Sequence, residues 1–252
     1  MKNKIIGIMG AIPEEIDGVV KLLSNKKKYE IGNRNYYTGE INNQQVVVVF
    51  SRIGKVAAAT TVSTLIIKFN ITELIFTGVA GAIDSSLKIG DIVLAKNLVQ
   101  HDMDAEPLFP KFEIPLLKKS YFDSDQNLLD ISSNAIKTLL EDNYLHQVIS
   151  VEDLNKFDIH SPKLHIGLIA SGDLFFSTTE QKDDLQKMLP DVLCVEMEGA
   201  AVAQVCYEFG LPFTVIRTIS DEANESATVD FTKFIEKISN IYSIEIIKNI
   251  IK

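Results

Sequence analysis

Tryptophan is absent from this 252-residue chain, and cysteine and histidine are rare, with two and four residues. Cys194 and Cys206 lie in apolar segments, which favours buried packing over a disulfide. The histidines, at positions 101, 146, 160 and 165, do not have the spacing typical of metal ligands. We therefore expect no disulfide framework, no metal and no other cofactor.

Long apolar runs and excess positive charge are also lacking. No apolar segment reaches the roughly 20 residues needed to span a bilayer, and the apolar stretch at 5–12 is too short for a typical secretion signal. A net charge of -9 disfavours a nucleic-acid partner. The sequence predicts a cytoplasmic protein without membrane or nucleic-acid partners, in which the lysines at 26–28 form the solvated end of a helix.

Strand and helix patterns alternate along the chain, without repeats or a linker. Strands are predicted at 5–9, 36–40, 45–50, 73–77, 91–100, 164–170, 192–195 and 212–218, and helices at 14–23, 54–69, 128–141, 179–188 and 231–251. Residues 102–125 are expected to be irregular. The pattern predicts one α/β domain over residues 1–252, with a central mixed, largely parallel twisted sheet flanked by helices.

Acidic residues follow several of these predicted strands. They are Glu15 after the first strand, Asp173 after 164–170, Glu196 and Glu198 after 192–195, and Asp221 after the last strand. Ligands of open α/β sheets bind beyond the carboxyl ends of the strands. We therefore expect these carboxyl groups to gather at one edge of the sheet.

Carboxyl groups at such an edge could bind a cation or act on a sugar. A metal site usually has a short acidic loop or added histidines, and neither is present. Cleavage at an anomeric carbon needs one carboxyl group to protonate the leaving group and another to activate water. Phe175 and Phe176 could stack on a flat base, although such pairs more often belong to a core. The residues alone suggest an enzyme that acts on nucleosides.

Five stretches resemble the 5'-methylthioadenosine/S-adenosylhomocysteine nucleosidases of the nucleoside phosphorylase superfamily. They occur in the family's order and span most of the chain: GIMGAIPEEI (7–16), SRIGKVAAA (51–59), FTGVAGAIDSSLKIGDIV (76–93), GLIASGDLFF (167–176), and VEMEGAAVAQVC (195–206) with PFTVIRTISDEA (212–223). The pair of glutamates after the first strand favours the nucleosidase branch. The resemblance implies a nucleoside phosphorylase-like fold.

The resemblance also implies a reaction, the hydrolysis of the N-glycosidic bond of methylthioadenosine or S-adenosylhomocysteine. Asp221 would be the general acid toward adenine N7, and Ser220 would orient it. Glu15 would position and activate water. Glu198 would bind the ribose hydroxyls, and Arg217 would help to hold both the water and Glu198.

Further binding positions follow from the same resemblance. Phe175 would stack on adenine, the backbone of Phe176 would contact the edge of the base, and Met197 would pack against the ribose. A neighbouring subunit would complete the 5' pocket, which implies a homodimer. The remaining implied positions are Ile53, Val79, Ala80, Gly81 and Phe231 for the substrate, and Leu108 and Phe109 for the 5' pocket.

Some positions depart from the family pattern. Val79 stands where serine is common, Arg52 brings a bulky cation that could meet an anionic group, and residues 102–115 differ throughout, so the sequence leaves the substrate preference open. Glu196 is expected to form a structural hydrogen bond or salt bridge. Asp173 could equally cap a turn or contact a ligand, with structure slightly favoured.

Two other functions remain open. A phosphate-dependent phosphorylase of the same fold would need cations for its phosphate, and the charge of Glu15 disfavours it. A non-catalytic nucleoside-binding protein would typically lack Glu15 or Asp221, and this chain has both.

Overall fold

The computed structural model describes residues 4–223 and 231–252, without the side chains of residues 142, 143, 231 and 232. Its strands are β1 (Ile5–Gly10), β2 (Ser24–Ile31), β3 (Arg34–Ile41), β4 (Gln44–Phe50), β5 (Glu73–Ala82), β6 (Ile92–Gln100), β7 (Tyr121–Asp123), β8 (Leu164–Ser171), β9 (Val192–Glu196) and β10 (Phe213–Asp221). The helices are α1 (Pro13–Lys21), α2 (Lys55–Phe69), α3 (Gln126–Leu139), α4 (Asp142–Val148), α5 (Val151–Lys156), α6 (Thr179–Met188), α7 (Gly199–Phe209), α8 (Phe231–Phe234) and α9 (Asn240–Ile250), with a π-helical turn (Ile235–Ser239) before α9.

All ten strands form one mixed sheet. Its open part runs in the order β2-β3-β4-β1-β5. Strand β5 then pairs with both β9 and β10, and the order β10-β6-β8-β9 closes these strands into a ring, with β7 added beside β6. Parallel pairs join β1 to β4 and β5, β5 to β10, and β8 to β6 and β9. The predicted α/β class with a mixed sheet and flanking helices is confirmed, and the closed ring is an addition to the prediction.

The two faces of the sheet bury two different apolar clusters. In β4, Val47 and Val49 join the cluster that includes residues of α2 and α7, whereas Val46 and Val48 join the cluster with α1, α3 and α9. Side chains alternate between the two faces of a strand. A strand covered by helices on both sides therefore reads as a continuous apolar run, and this makes the central strands easy to predict.

The three lysines at 26–28 lie in a strand and not at a helix end, so that prediction is wrong. Strand β2 is exposed over most of its length and pairs antiparallel with β3, with Lys28 opposite Tyr37. Its side chains lack an apolar alternation because neither face of this edge is buried. Charged residues on an edge strand also discourage pairing with other chains.

Two central strands extend further than their apolar residues indicate. Strand β5 continues through Gly78 to Ala82, and β10 continues through Ser220 to Asp221, where these small and polar residues still pair with each other. Because β5 and β10 are parallel neighbours, their last residues lie side by side. The short helices α4 and α5 were not predicted. No helix in the described ranges is both long and apolar enough to cross a membrane.

Candidate active site

A cleft lies at the carboxyl ends of β1, β5, β9 and β10. Its position at the strand ends is typical of a ligand site in an α/β protein. The residues that line it are mostly apolar, but four of them carry carboxyl groups. These are Glu15 in α1, Glu196 in β9, Glu198 directly before α7, and Asp221 at the end of β10. Eleven of the predicted positions line this cleft: Glu15, Ile53, Val79, Ala80, Gly81, Phe175, Phe176, Met197, Glu198, Ser220 and Asp221.

Four predicted positions are not among the lining residues. Arg217 is only 1% exposed and lies in the interior of β10. Leu108 is 83% exposed, and Phe109 lies beside it in the segment after β6. The side chain of Phe231 lies outside the described part of the structure. The suggested contribution of Leu108 and Phe109 to a partner's pocket stays a prediction.

Glu15 is held by backbone donors from two parts of the chain. Its Oε2 accepts hydrogen bonds from the N–H groups of Ala11 (2.6 Å) and Ile12 (3.2 Å), and its Oε1 accepts one from Val79 (3.1 Å). Pro13 begins α1 and fixes the turn that presents Glu15 to these donors. Burial raises the pKa of Glu15, and Arg217 and the three N–H groups oppose that rise.

Asp221 ends β10 and is buried beside a serine hydroxyl. The Ser220 hydroxyl donates to Oδ2 at 2.7 Å, and the backbone N–H of Ala223 donates to Oδ1 at 2.9 Å. Burial raises the pKa of Asp221, against the lowering effect of both hydrogen bonds. A Cβ at Gly81 would lie 2.9 Å from Oδ1, so this approach of β5 to the carboxyl group requires glycine.

Glu198 lies at the start of α7 and faces the cleft. Its Oε1 accepts a hydrogen bond from the backbone N–H of Gly54, 2.8 Å away, at the start of α2. Burial, followed by repulsion from Glu196, raises the pKa of Glu198 to about 8. A ligand that donates hydrogen bonds to the Glu198 carboxylate would stabilise its charged form and lower this pKa.

Arg217 forms an ion pair with Glu196, in place of the expected contact with Glu198. Its Nη2 and Nε lie 2.6 Å and 3.2 Å from Glu196 Oε2. The guanidinium carbon lies 4.0 Å from the centre of the Phe76 ring. The structural salt bridge expected for Glu196 is therefore present, inside one chain, and Arg217 is a buried support beneath the cleft.

Phe175 and Phe176 differ in exposure although they are neighbours. Phe175 is 43% exposed at the mouth of the cleft, where a planar base could stack on it. Phe176 is buried, and its ring contacts His101 edge-on at 5.3 Å. The alternative interpretation of the pair as core residues thus applies to Phe176, whose side chain packs inside.

The departures from the family pattern have structural partners. The Arg52 guanidinium donates to the Asn33 carbonyl oxygen at 2.7 Å, and Val79 contributes its backbone N–H to Glu15. Asp173 accepts a hydrogen bond from the N–H of Lys55 at 2.8 Å, which agrees with a structural role at the start of α2.

Within the described ranges, no lysine or arginine side chain lines the cleft, and no group of His, Cys, Asp and Glu is arranged to hold a metal ion.

Some lining residues were not predicted. Ala11 and Ile12 act through their backbone N–H groups on Glu15, and Ala223 does the same for Asp221, so their side chains carry no signal. Leu174 and Val195 line the cleft as ordinary apolar residues. The position of Ala11 and Ile12 between a strand and a helix that begins with proline is the sequence feature that could have indicated them.

Comparison with known proteins identifies the class. A family model described as the phosphorylase superfamily matches residues 5–252. The 5'-methylthioadenosine/S-adenosylhomocysteine nucleosidase of Staphylococcus epidermidis is 36% identical over 234 residues, which are 92% of this chain and 93% of that protein. The chain therefore belongs to the phosphorylase superfamily and, within it, to the family of 5'-methylthioadenosine/S-adenosylhomocysteine nucleosidases.

Solved structures agree with this assignment. The nucleosidase of the same name from Neisseria meningitidis, crystallised with methylthio-immucillin-A, has a TM-score of 0.86 and 30% identity over 99% of both chains. The futalosine hydrolase of Helicobacter pylori has a TM-score of 0.81 and 33% identity, covering 98% of this chain and 97% of that one. The resemblance found in the sequence is confirmed.

Proposed function

We propose that this chain hydrolyses the N-glycosidic bond of 5'-methylthioadenosine, S-adenosylhomocysteine or both, and releases adenine and a 5'-thio-substituted ribose. The observation that carries the proposal is an apolar cleft lined by carboxyl groups and, within the described ranges, by no cation. Such a cleft suits a neutral nucleoside and a water nucleophile. The names of the relatives point to the same substrates.

Asp221 is the general acid of the proposed reaction. A purine leaves most easily as a neutral base, so N7 must gain a proton as the bond to the ribose breaks. Burial raises the pKa of Asp221, which increases the fraction that carries this proton. The hydroxyl of Ser220 fixes the orientation of the carboxyl group.

Glu15 positions the attacking water, and Glu198 binds the sugar. Three backbone N–H groups hold the Glu15 carboxylate in one orientation, as accepting a proton from a water at a fixed place requires. The Glu198 carboxylate can accept hydrogen bonds from two neighbouring ribose hydroxyls. These donors would favour its charged form in the complex, although its pKa in the free cleft is about 8.

The rival functions are a phosphate-dependent phosphorylase and a nucleoside-binding protein without activity. A phosphorylase would hold an anion where Glu15 places a buried carboxylate, and the repulsion would be strong at low dielectric. The guanidinium of Arg52 hydrogen-bonds to a backbone carbonyl, and that of Arg217 pairs with Glu196. Neither Arg52 nor Arg217 is among the residues that line the cleft, where a phosphate would have to bind.

The test is adenine release from methylthioadenosine, S-adenosylhomocysteine and adenosine, with and without phosphate, and base release from futalosine in parallel. We expect release in phosphate-free buffer, at a rate that phosphate or arsenate leaves unchanged. Turnover only with phosphate would move the chain to the phosphorylases. Binding of these nucleosides without any release of base would make it a binding protein.

A homodimer in the cytoplasm completes the proposal. Ile53 and Leu174 line the mouth of the cleft and are 59% and 50% exposed. A second copy of the chain that covers this mouth would bury them and exclude water from the 5' side. The segment with Leu108 and Phe109 supplies the covering residues in this arrangement.

A further inference from the structure

Glu196 has more hydrogen-bond donors around it than the other acids of the cleft. Its carboxylate accepts from Arg217 on β10, from the hydroxyl of Ser171 on β8, and from the backbone N–H of Gly199 on α7 at 2.9 Å and 2.8 Å. The backbone N–H of Glu198 also donates to it, at 3.2 Å. One side chain therefore connects three elements that meet beneath the cleft.

The Ser171 hydroxyl extends this network into α7. It donates to Glu196 and accepts a hydrogen bond from the N–H of Ala200 at 2.7 Å. The first N–H groups of a helix have no partners within the helix. Here Glu196 and Ser171 supply those partners, and this fixes the start of α7, where Glu198 lies.

Arg217 pairs with Glu196 and also lies close to Glu15. A Cβ built on Gly78 would lie 2.8 Å from Glu15 Oε1 and 3.2 Å from Arg217 Nη1, so the carboxylate and the guanidinium approach each other across this glycine. The ionisable groups around Arg217 are Glu15 from α1, Glu196 and Glu198 from the β9–α7 junction, and the buried thiol of Cys194 on β9.

We propose that Glu196 is a positioning residue for the hydrolysis: it fixes Arg217 and the start of α7, and it balances the guanidinium charge beneath Glu15 and Glu198. This inference rests on the proposed function. It assigns to the first glutamate of VEMEG a role in the reaction beyond that of a structural salt bridge. Glu196 acts through Arg217 and Glu198 and not by touching the reacting atoms.

The charge balance gives the proposal a signature in pH. A glutamine at 196 keeps the shape of the side chain but leaves a buried guanidinium without its partner. Glu198 would then lose a repelling carboxylate and feel the full attraction of Arg217, and both changes lower its pKa from about 8. Glu198 would lose its proton at lower pH and bind ribose hydroxyls over a more acidic range.

The experiment measures the affinity of a methylthioadenosine analogue with carbon in place of N7, by titration calorimetry between pH 5.5 and 9. In the wild-type protein we expect affinity to rise with pH, with a midpoint near the pKa of Glu198 at about 8. In Glu196→Gln the midpoint should fall by about one pH unit or more, because the repelling carboxylate is gone and the charge of Arg217 is no longer compensated. Glu196→Asp keeps the charge and should keep the wild-type midpoint.

A double variant protects the test against misfolding. Glu196→Gln combined with Arg217→Met removes the lone guanidinium, and replacing both members of a buried pair is often tolerated where removing one is not. Its midpoint should return toward the wild-type value. Two results would contradict the proposal and leave Glu196 with a structural role only. One is an unchanged midpoint in Glu196→Gln, and the other is a midpoint that stays shifted to lower pH in the double variant. Failure of the wild-type protein to bind the analogue would instead overturn the proposed function, and this inference with it.

Discussion

At the scale of one residue, the environment of Asp221 suits the acid role proposed for it. The proposed role needs a carboxyl group that carries a proton at neutral pH. Burial favours the protonated form, while Ser220 and the N–H of Ala223 fix the direction of the carboxyl group. Those two hydrogen bonds limit how far the pKa rises. The position of Asp221 after a predicted strand places it at the edge of the sheet, and the family motif adds the acid role, since an aspartate at a strand end can also be an ordinary cap.

Replacing Asp221 by asparagine should abolish most of the adenine release while leaving substrate affinity nearly unchanged. The amide keeps the shape of the acid but cannot transfer a proton, and general acid catalysis contributes about 10²–10⁴-fold. Single-turnover rates and the affinity of the 7-carbon analogue test this. Ser220→Ala is the matched control, in which we expect a smaller loss of rate. Turnover at the wild-type rate in Asp221→Asn would contradict the acid assignment.

Glu198→Ala should weaken the binding of ribosides far more than the binding of free adenine. Two hydrogen bonds to a charged carboxylate are lost, each worth roughly 1.5–3 kcal/mol, so riboside affinity should fall by about two orders of magnitude or more. Calorimetry with the analogue and with adenine gives the comparison. Equal losses for the two ligands would show that Glu198 does not hold the sugar.

At the scale of elements, the apolar strands were predictable and the polar ones were not. Strands such as β1 and β4 are buried on both faces and therefore form continuous apolar runs. The edge strand β2 contains three lysines and lacks the apolar pattern by which a strand is predicted. The ends of β5 and β10 contain glycine, threonine and serine, which also do not indicate a strand. The ends of β5 and β10 pair with each other although the two strands are distant in the sequence, and no local pattern contains that pairing. Strand β2 pairs with β3, the next strand in the chain, so only its exposed, charged composition concealed it.

In the candidate site, residues that act through their side chains were predictable, and residues that act through their backbone were not. Residues whose side chains have a role in the proposed reaction, such as Glu15 and Asp221, stand out in the sequence as acids after strands. Residues that act through backbone N–H groups, such as Ala11 and Ile12, do not. The pairing of Arg217 with Glu196 was also beyond local patterns, because it requires knowing that β9 and β10 meet beneath the same cleft.

Lys55 connects three elements around the mouth of the cleft. Its Nζ lies 2.6 Å from Asp102 Oδ1, its backbone N–H donates to Asp173, and Asp102 in turn accepts from the N–H of Asp173 at 2.9 Å. Burial would raise the pKa of Asp102, but the hydrogen bonds from Lys55 and Asp173 hold it below its usual value. These contacts tie the start of α2 to the segments that follow β6 and β8.

Lys55→Met should loosen the segment that carries Phe175 and raise KM while changing kcat little. The ion pair is partly exposed and contributes roughly 1 kcal/mol, or about fivefold in KM. Steady-state kinetics with methylthioadenosine provide the measurement. Lys68→Met changes an exposed lysine on the same helix and is the control. A KM equal to that of the control would mean that the Lys55 contacts do not position the base-stacking segment.

At the scale of the whole molecule, one side of the site stays open in the single chain. The closed ring of strands and the open part of the sheet bring Glu15, Glu198 and Asp221 together within one chain. The 5' side is different, since Ile53 and Leu174 stay exposed at the mouth. In the proposed homodimer, the residues that act on the glycosidic bond therefore come from one subunit, whereas residues of both subunits contact the 5' substituent and determine which substrates fit.

Leu108→Asp should weaken the dimer and raise KM for methylthioadenosine, with the fold of the monomer intact. Leu108 is 83% exposed in the single chain, so a charge there costs the monomer little, whereas burying the charge against a partner is costly. Light scattering across a dilution series and KM at matched concentrations test both effects. Val151→Asp changes an exposed apolar residue on α5, outside the cleft lining, and should alter neither. A wild-type chain that is fully active as a monomer would place the whole 5' pocket within one subunit and remove Leu108 from it.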